Sequence, residues 1–509
     1  MIDPELKIYI LAPLFYLLLF AAVGSILATS PDIAFVMTGI ILFLIFFLHT
    51  KEGVFFYSVY LAFEETILQH IPGASFLFIK YSGDLMITML ALAVFTKLAT
   101  RRYTLQIVMW NPINKPLLIF VGLAILSALI NEVPFFPAFA GMRQLLRFVV
   151  LFYLITIIST SEWDSRTVRS LLAVLACVVV IQALIGYAQA ILGPGSSFNH
   201  FLSPGRSYFY EGIWISGGLS WADSKGVYGT MLSKNTYGVF MMSVSVFILG
   251  MLQMAKQNRE RYMLILVIAA PCILLSYARQ SMYGFLIGGA AISIVVRNKR
   301  LLIAIIMMAS LLVLLARHQA FEDPKISEEA TISQRFVSTF HKPYIKRSMA
   351  GDRLFVATKI TPKLFASKYI FLGLGPAAFG SAVGSAIGYL EGYKKMGVPT
   401  ISAIVSDVGF VSLLGQFGII GLGAMMMIFV RLFVSIYHLH KNSDDEFFRG
   451  MALGSMGLLC AFIITNFGYV NFELRQCSFC FWLLLALTLT YWGKDTVAKL
   501  GLAEGDEKR

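Results

Sequence analysis

The chain has 509 residues, of which 58% are hydrophobic and only 14% charged, and its mean hydropathy is +0.76. That composition lies far outside the soluble globular range and marks a polytopic membrane protein. The formal net charge of +13 is therefore read as membrane topology and anionic-substrate chemistry, with no nucleic-acid partner.

Apolar runs long enough to cross about 30 Å of hydrocarbon recur along almost the whole sequence, roughly fourteen of them. They predict an all-α polytopic helical bundle, one membrane domain over residues 1–509, with a large external helical loop. The first run, 8–28, follows Asp3, Glu5 and Lys7 instead of a cationic stretch, so it is read as a retained helix and not a cleaved signal. Glu64 and Glu65 end the third run, and Lys80 and Asp84 open the fourth at i,i+4 spacing.

Basic short loops at 97–102, 256–261 and 297–300, with the tail 494–509, are expected on the cytoplasmic side. Counting between them puts both termini inside and the connections near 131–138, 193–229 and 317–405 outside. Arg143 and Arg147 then open the sixth run on one face, and Glu473 and Arg475 open the last. Ionisable residues at such positions are costly and are functional hypotheses by default. In Leu274-Leu-Ser-Tyr-Ala-Arg-Gln-Ser-Met-Tyr283 almost no loop separates two apolar runs, which puts Arg279 at an external hairpin. Guanidinium groups suit phosphate oxygens bidentately, and several converging would suit a diphosphate. Snorkelling to lipid headgroups is the competing reading for each.

The 317–405 connection carries twelve basic against six acidic side chains. Long loops escape the orientation rule, which is the bland account of that excess. Apolar residues at helical spacing around Arg353, then Gly373-Leu-Gly-Pro-Ala-Ala-Phe-Gly380, predict short packed helices and a glycine turn. Asp407 precedes the apolar run 411–430. There it either caps a helix, as Ser406 also could, or accepts a proton from an attacking hydroxyl. His200 and His341 are solvated or sugar-contacting loop residues, since no ligand spacing surrounds them, and no metal is proposed. Gly284-x-x-x-Gly288 and Gly418-Ile-Ile-Gly421 are read as intramolecular packing sites. The five cysteines complete neither a disulfide framework nor a metal site.

Four stretches together resemble the O-antigen ligase and O-antigen polymerase superfamily over about residues 110–490: Tyr228-Gly-Thr-Met-Leu-Ser-Lys-Asn-Thr-Tyr-Gly238, Ser276-Tyr-Ala-Arg-Gln280, Gly351-Asp-Arg-Leu-Phe355 with Gly373-Leu-Gly-Pro376, and Ser406-Asp-Val-Gly-Phe-Val-Ser-Leu-Leu-Gly-Gln-Phe-Gly-Ile-Ile-Gly421. The resemblance implies a metal-independent, inverting, cofactor-free glycosyltransferase in the bacterial cytoplasmic (inner) membrane. It would use an undecaprenyl-diphosphate-linked oligosaccharide. Arg279 and Arg353 match arginines that grip the diphosphate, Asn235 matches an asparagine near an external helix start, and Lys225 lies where relatives often carry arginine.

Asp407 lies where ligases place a catalytic histidine, with Val408 in place of its asparagine partner, and Gln416 lies where relatives often carry glutamate. The implied catalytic set is Asp407, Arg279 and Arg353. Substrate contacts would come from Arg143, Arg147, Lys225, Asn235, Arg335 and His341. The expected activity is polysaccharide polymerisation from lipid-linked repeats. A ligase to lipid A core is the nearest alternative, and a lipid-linked oligosaccharide transporter or a non-enzymatic scaffold the more distant ones. Beyond the bilayer, a chain-length regulator or other polysaccharide-assembly proteins are the candidate partners.

Overall fold

The computed structural model describes residues 31–70, 81–103, 105–109, 111–204, 207–210, 213–216, 222–231, 233–318, 355–398 and 408–499. The long helices are α1 (Pro31–Leu48), α2 (Thr50–His70), α3 (Ser82–Ala99), α4 (Asn114–Ile130), α5 (Phe135–Glu162), α6 (Ser165–Leu192), α7 (Lys234–Met254), α8 (Arg259–Leu275), α9 (Arg279–Val295), α10 (Lys299–His318), α11 (Gly409–Asn442), α12 (Glu446–Thr465) and α13 (Arg475–Lys499). Six of them, α3, α5, α6, α7, α11 and α12, are long and apolar enough to cross a membrane. With 17 residues each, α4, α8 and α9 are shorter, about 25 Å at 1.5 Å per residue. The described residues are otherwise helical turns and loops, except for one antiparallel hairpin of β1 (Ser207–Tyr210) and β2 (Ile213–Ser216), with Ser207 opposite Ser216.

Helices dominate because a backbone surrounded by apolar side chains has no water to satisfy it and must pair within itself. α7 is apolar on all sides and buried along nearly its whole length, as a central helix must be. It packs on α8, α9, α12 and α13. Its crossing with α12 is backbone on backbone, since a Cβ on Gly250 would come 2.2 Å from the Gly454 nitrogen. Gly284 and Gly288 of α9 likewise lie against Thr465 and Gly457 of α12. At the periphery the pattern inverts, and α4 and α10 turn Leu118, Leu129, Met307 and Leu314 outward.

Two polar layers define the ends of the bundle. At one end the Lys97 ammonium donates to Thr50 Oγ1 at 2.5 Å and Tyr103 OH at 3.1 Å and pairs with Glu162 at 3.0 Å, which ties the ends of α2, α3 and α5.

α11 is broken at Gly418 (φ 67°, ψ −174°), where the expectation was only a packing glycine. The carbonyls of Gly415 and Gln416 accept from the amides of Leu374 (2.8 Å) and Gly375 (2.9 Å). Beyond the break, the amides of Ile419 and Ile420 donate to Ile370 (2.7 Å) and Phe371 (3.3 Å) carbonyls. The glycine-rich segment thus takes up the backbone groups that the break frees, the condition for irregular chain in apolar surroundings. Only glycine fits, because a Cβ on Gly418 would lie 2.2 Å from the Phe371 oxygen. Asn131, at the end of α4, donates from Nδ2 to the Gly373 carbonyl at 3.0 Å. Around this segment Val356, Ile360, Leu364, Phe379 and Tyr393 form a small core of their own.

Candidate functional site: a charged layer at one end of the bundle

Four helices bring opposite charges together at the end away from Lys97. Arg475, first residue of α13, donates to Glu64 of α2 at 2.8 Å. Asp84, in the first turn of α3, faces both α5 arginines, Arg143 at 3.5 Å and Arg147 at 3.6 Å. The i,i+4 spacing of Arg143 and Arg147 is what lets one carboxylate meet both. Arg147 is 7% exposed. Its Nε and Nη2 have no hydrogen-bond partner among the described residues, nor has Nε of Arg143. Buried guanidinium donors left open in this way are costly in a closed core and suit a site that receives an anion.

The loop before α7 joins this layer to Arg279. Its backbone is buried and needs partners, and two glutamines of α6 supply them. Gln189 Oε1 accepts from the amides of Tyr228 (3.0 Å) and Gly229 (2.9 Å), while Gln182 Oε1 accepts from Thr230 at 3.1 Å. Thr230 also receives a hydrogen bond from Thr66, two residues past Glu64. Ser233 caps α7, and the carbonyl of Thr236 lies 3.5 Å from the Cys477 thiol, two residues past Arg475. On its other side the loop meets the α8–α9 turn: the Val227 amide donates to the Leu275 carbonyl at 3.1 Å. Tyr277 in that turn takes the left-handed φ of 56°, and two residues later Arg279 opens α9, half-buried.

A second buried network lies beside the charged layer. Glu473, in the connection before α13, accepts from the Ala382 amide at 2.8 Å and the Ser381 hydroxyl at 3.3 Å, and its carbonyl accepts from Gln144 of α5. Gln416 accepts from the Ala377 amide at 2.9 Å and donates to Ser412, whose hydroxyl donates to the Gly380 carbonyl at 2.7 Å. These contacts fasten the glycine-rich segment to α5, α11 and α13.

Burial raises the Glu473 carboxyl from 4.5 to about 7, against the lowering effect of its hydrogen-bond donors. A raised folded value means that the native state holds a proton that the unfolded chain releases. Glu473 therefore favours folding below about pH 4.5, and this contribution fades as pH rises through about 7. Thermal melts of the detergent-solubilised protein between about pH 5 and pH 8 should show a fall on the order of 3 kcal/mol from this group. Glu473→Gln should lack that component, and identical pH slopes for the two proteins would refute the assignment.

Of the residues expected from sequence, Arg279, Lys225 and Asn235 come together around the α7 loop, with Lys225 exposed and Asn235 half-buried in the first turn of α7. Arg143 and Arg147 lie in the charged layer. Arg335, His341, Arg353 and Asp407 lie outside the described residues. Glu64, Asp84 and Arg475 were legible as helix-end charges, but their pairing was not. Gln182 and Gln189 carry a fainter signal, since two uncharged polar residues seven apart in an apolar run mark one helix face reserved for a polar partner. No protein-family model matches the chain, and no curated protein matches it.

Proposed function

We propose that this protein is a polysaccharide polymerase of the bacterial inner membrane. In this reading it has about fourteen spans, both termini are cytoplasmic, and the end bearing Arg147 and Arg279 faces outward. It belongs, on the same reading, to the O-antigen ligase and polymerase superfamily. A sugar hydroxyl of one lipid-linked repeat attacks the anomeric carbon of another undecaprenyl-diphosphate-linked glycan. The bond from that carbon to the diphosphate oxygen breaks, undecaprenyl diphosphate leaves with the electron pair, and Asp407 receives the hydroxyl proton. Arg279 and Arg353 hold the diphosphate, with Arg143 and Arg147 as further contacts. The observation that supports this most is the buried Arg147 beside Arg143, with guanidinium donors uncommitted among the described residues. They lie at the same end of the bundle as the loop that meets the Arg279 turn.

Purified protein supplied with lipid-linked repeat, and with neither nucleotide sugar nor divalent metal, should yield a ladder of longer lipid-linked glycans. In cells, its deletion should leave single repeats. Accumulation of long lipid-linked polymer on deletion would favour the ligase, and translocation without elongation the transporter. Either result overturns the polymerase.

A further inference from the structure

A groove of about 850 Å³ runs between α6, α7 and α8 at the Lys97 end, opposite the charged layer. Its wall is apolar, built from side chains such as Ile181, Val244 and Ile265, and its mouth carries Arg166, Arg169 and Arg261. From Arg166 to Ile181 the groove follows sixteen residues of α6, fifteen steps of 1.5 Å or about 22 Å. That length matches a headgroup together with an acyl chain in one leaflet, whose hydrocarbon half is about 15 Å deep.

Charge distinguishes this groove from an ordinary lipid-facing surface. Arg169 lies 3.8 Å from Asp445, with the arginine side chain half exposed and the aspartate half-buried, and its guanidinium stands 4.1 Å over the Phe447 ring. Arg166 and Arg261 are exposed, and neither has an ion pair among the described residues. Three guanidinium groups therefore stand at an apolar slot whose own lining holds no carboxylate, while Asp445 and Glu446 line the adjoining cleft, where Glu446 pairs with Lys256. Basic pockets between membrane helices on the cytoplasmic side suit lipid phosphate, and the short basic loop 256–261 assigns this end to that side.

We propose that the groove is a binding site for one anionic phospholipid of the cytoplasmic leaflet, its phosphate held by Arg166, Arg169 and Arg261 and one acyl chain laid between α6 and α7. This site is separate from the proposed donor-lipid site and does not depend on the polymerase reading.

Native mass spectrometry of the full-length protein, released from micelles containing equal phosphatidylglycerol and phosphatidylcholine, tests the proposal. Wild-type protein should retain one phosphatidylglycerol. Each arginine near the headgroup is worth roughly fivefold, so Arg166→Gln/Arg169→Gln/Arg261→Gln should weaken retention on the order of 100-fold. Cys177, exposed and lining the groove, allows the acyl slot to be filled separately. Cys177→Trp should also lose the lipid while keeping all three arginines, and continued retention would mean that only phosphate is bound, overturning the lipid site. Arg297→Gln/Arg300→Gln neutralises charge outside this groove and should retain the lipid as wild type does; an equal loss would assign binding to a diffuse basic surface and overturn it. Melting temperatures without added lipid should match wild type for every variant. If the triple variant melts lower, the single exposed Arg166→Gln serves in its place, and undiminished retention by it overturns the proposal.

Discussion

Lysine at Arg279 or at Arg353 is expected to reduce polymer formation by on the order of 100-fold or more, with folded protein and lipid-linked repeat left at wild-type levels. Lysine keeps the positive charge, so the change isolates geometry. A guanidinium presents two parallel N–H donors to two phosphate oxygens, whereas an ammonium is a single hydrated point charge. The leaving diphosphate gains charge as the glycosidic bond breaks, so the missing fork is felt most in the transition state, and turnover should fall more than substrate affinity. The first residue of α9 is half-buried at a turn, where lysine fits without opening the core. Gel analysis of polymer, with immunoblotting for protein level, reads the result. Full-length polymer from both lysine variants would remove the diphosphate grip from the proposal.

Much of the helical plan was legible because hydrocarbon admits so few backbone solutions, and apolar runs bounded by basic loops are nearly sufficient to mark helices. The gathering of Glu64, Asp84, Arg143, Arg147 and Arg475 into one layer was legible for a related reason, since charges are driven to helix ends and alternate spans return them to the same end. What the chain does with them was not. Glu64 finds Arg475 at a separation of 411 residues, and nothing local distinguishes that pairing from one with Arg143. The break in α11 was hidden more thoroughly. Gly418 lies in an apolar run where glycine ordinarily serves close packing, and its meaning depends on the 370–375 segment that supplies the freed backbone with partners. The same holds for Glu473, which reads as a helix-end charge and becomes a fully buried clasp only when Ser381 and Ala382 arrive from a distant connection.

Breaking the Glu64–Arg475 pair should be the most destabilising of the charge changes in this protein. The Glu64 side chain is 0% exposed and that of Arg475 16%, so removing either partner strands the other in a medium that solvates it poorly, at a cost of about 3–5 kcal/mol. Arg475→Met should cost more than Glu64→Gln, because glutamine still offers Arg475 an acceptor, whereas methionine removes the donor to Glu64 Oε1 from a carboxylate whose Oε2 already has no partner among the described residues. The double variant Glu64→Leu/Arg475→Met should regain most of that loss, since well-packed apolar residues often replace a buried ion pair at no net cost. A thermal double-mutant cycle in detergent reads the coupling directly, and additive single effects would show that the pair is not a unit. Restored folding should not restore synthesis in this variant. The charged layer would lose one guanidinium and one carboxylate beside Arg147, altering the field around the donors offered to the anionic substrate. A stable double variant that makes polymer at the wild-type rate would confine Glu64 and Arg475 to structure and leave Arg143, Arg147 and Arg279 to carry the site alone.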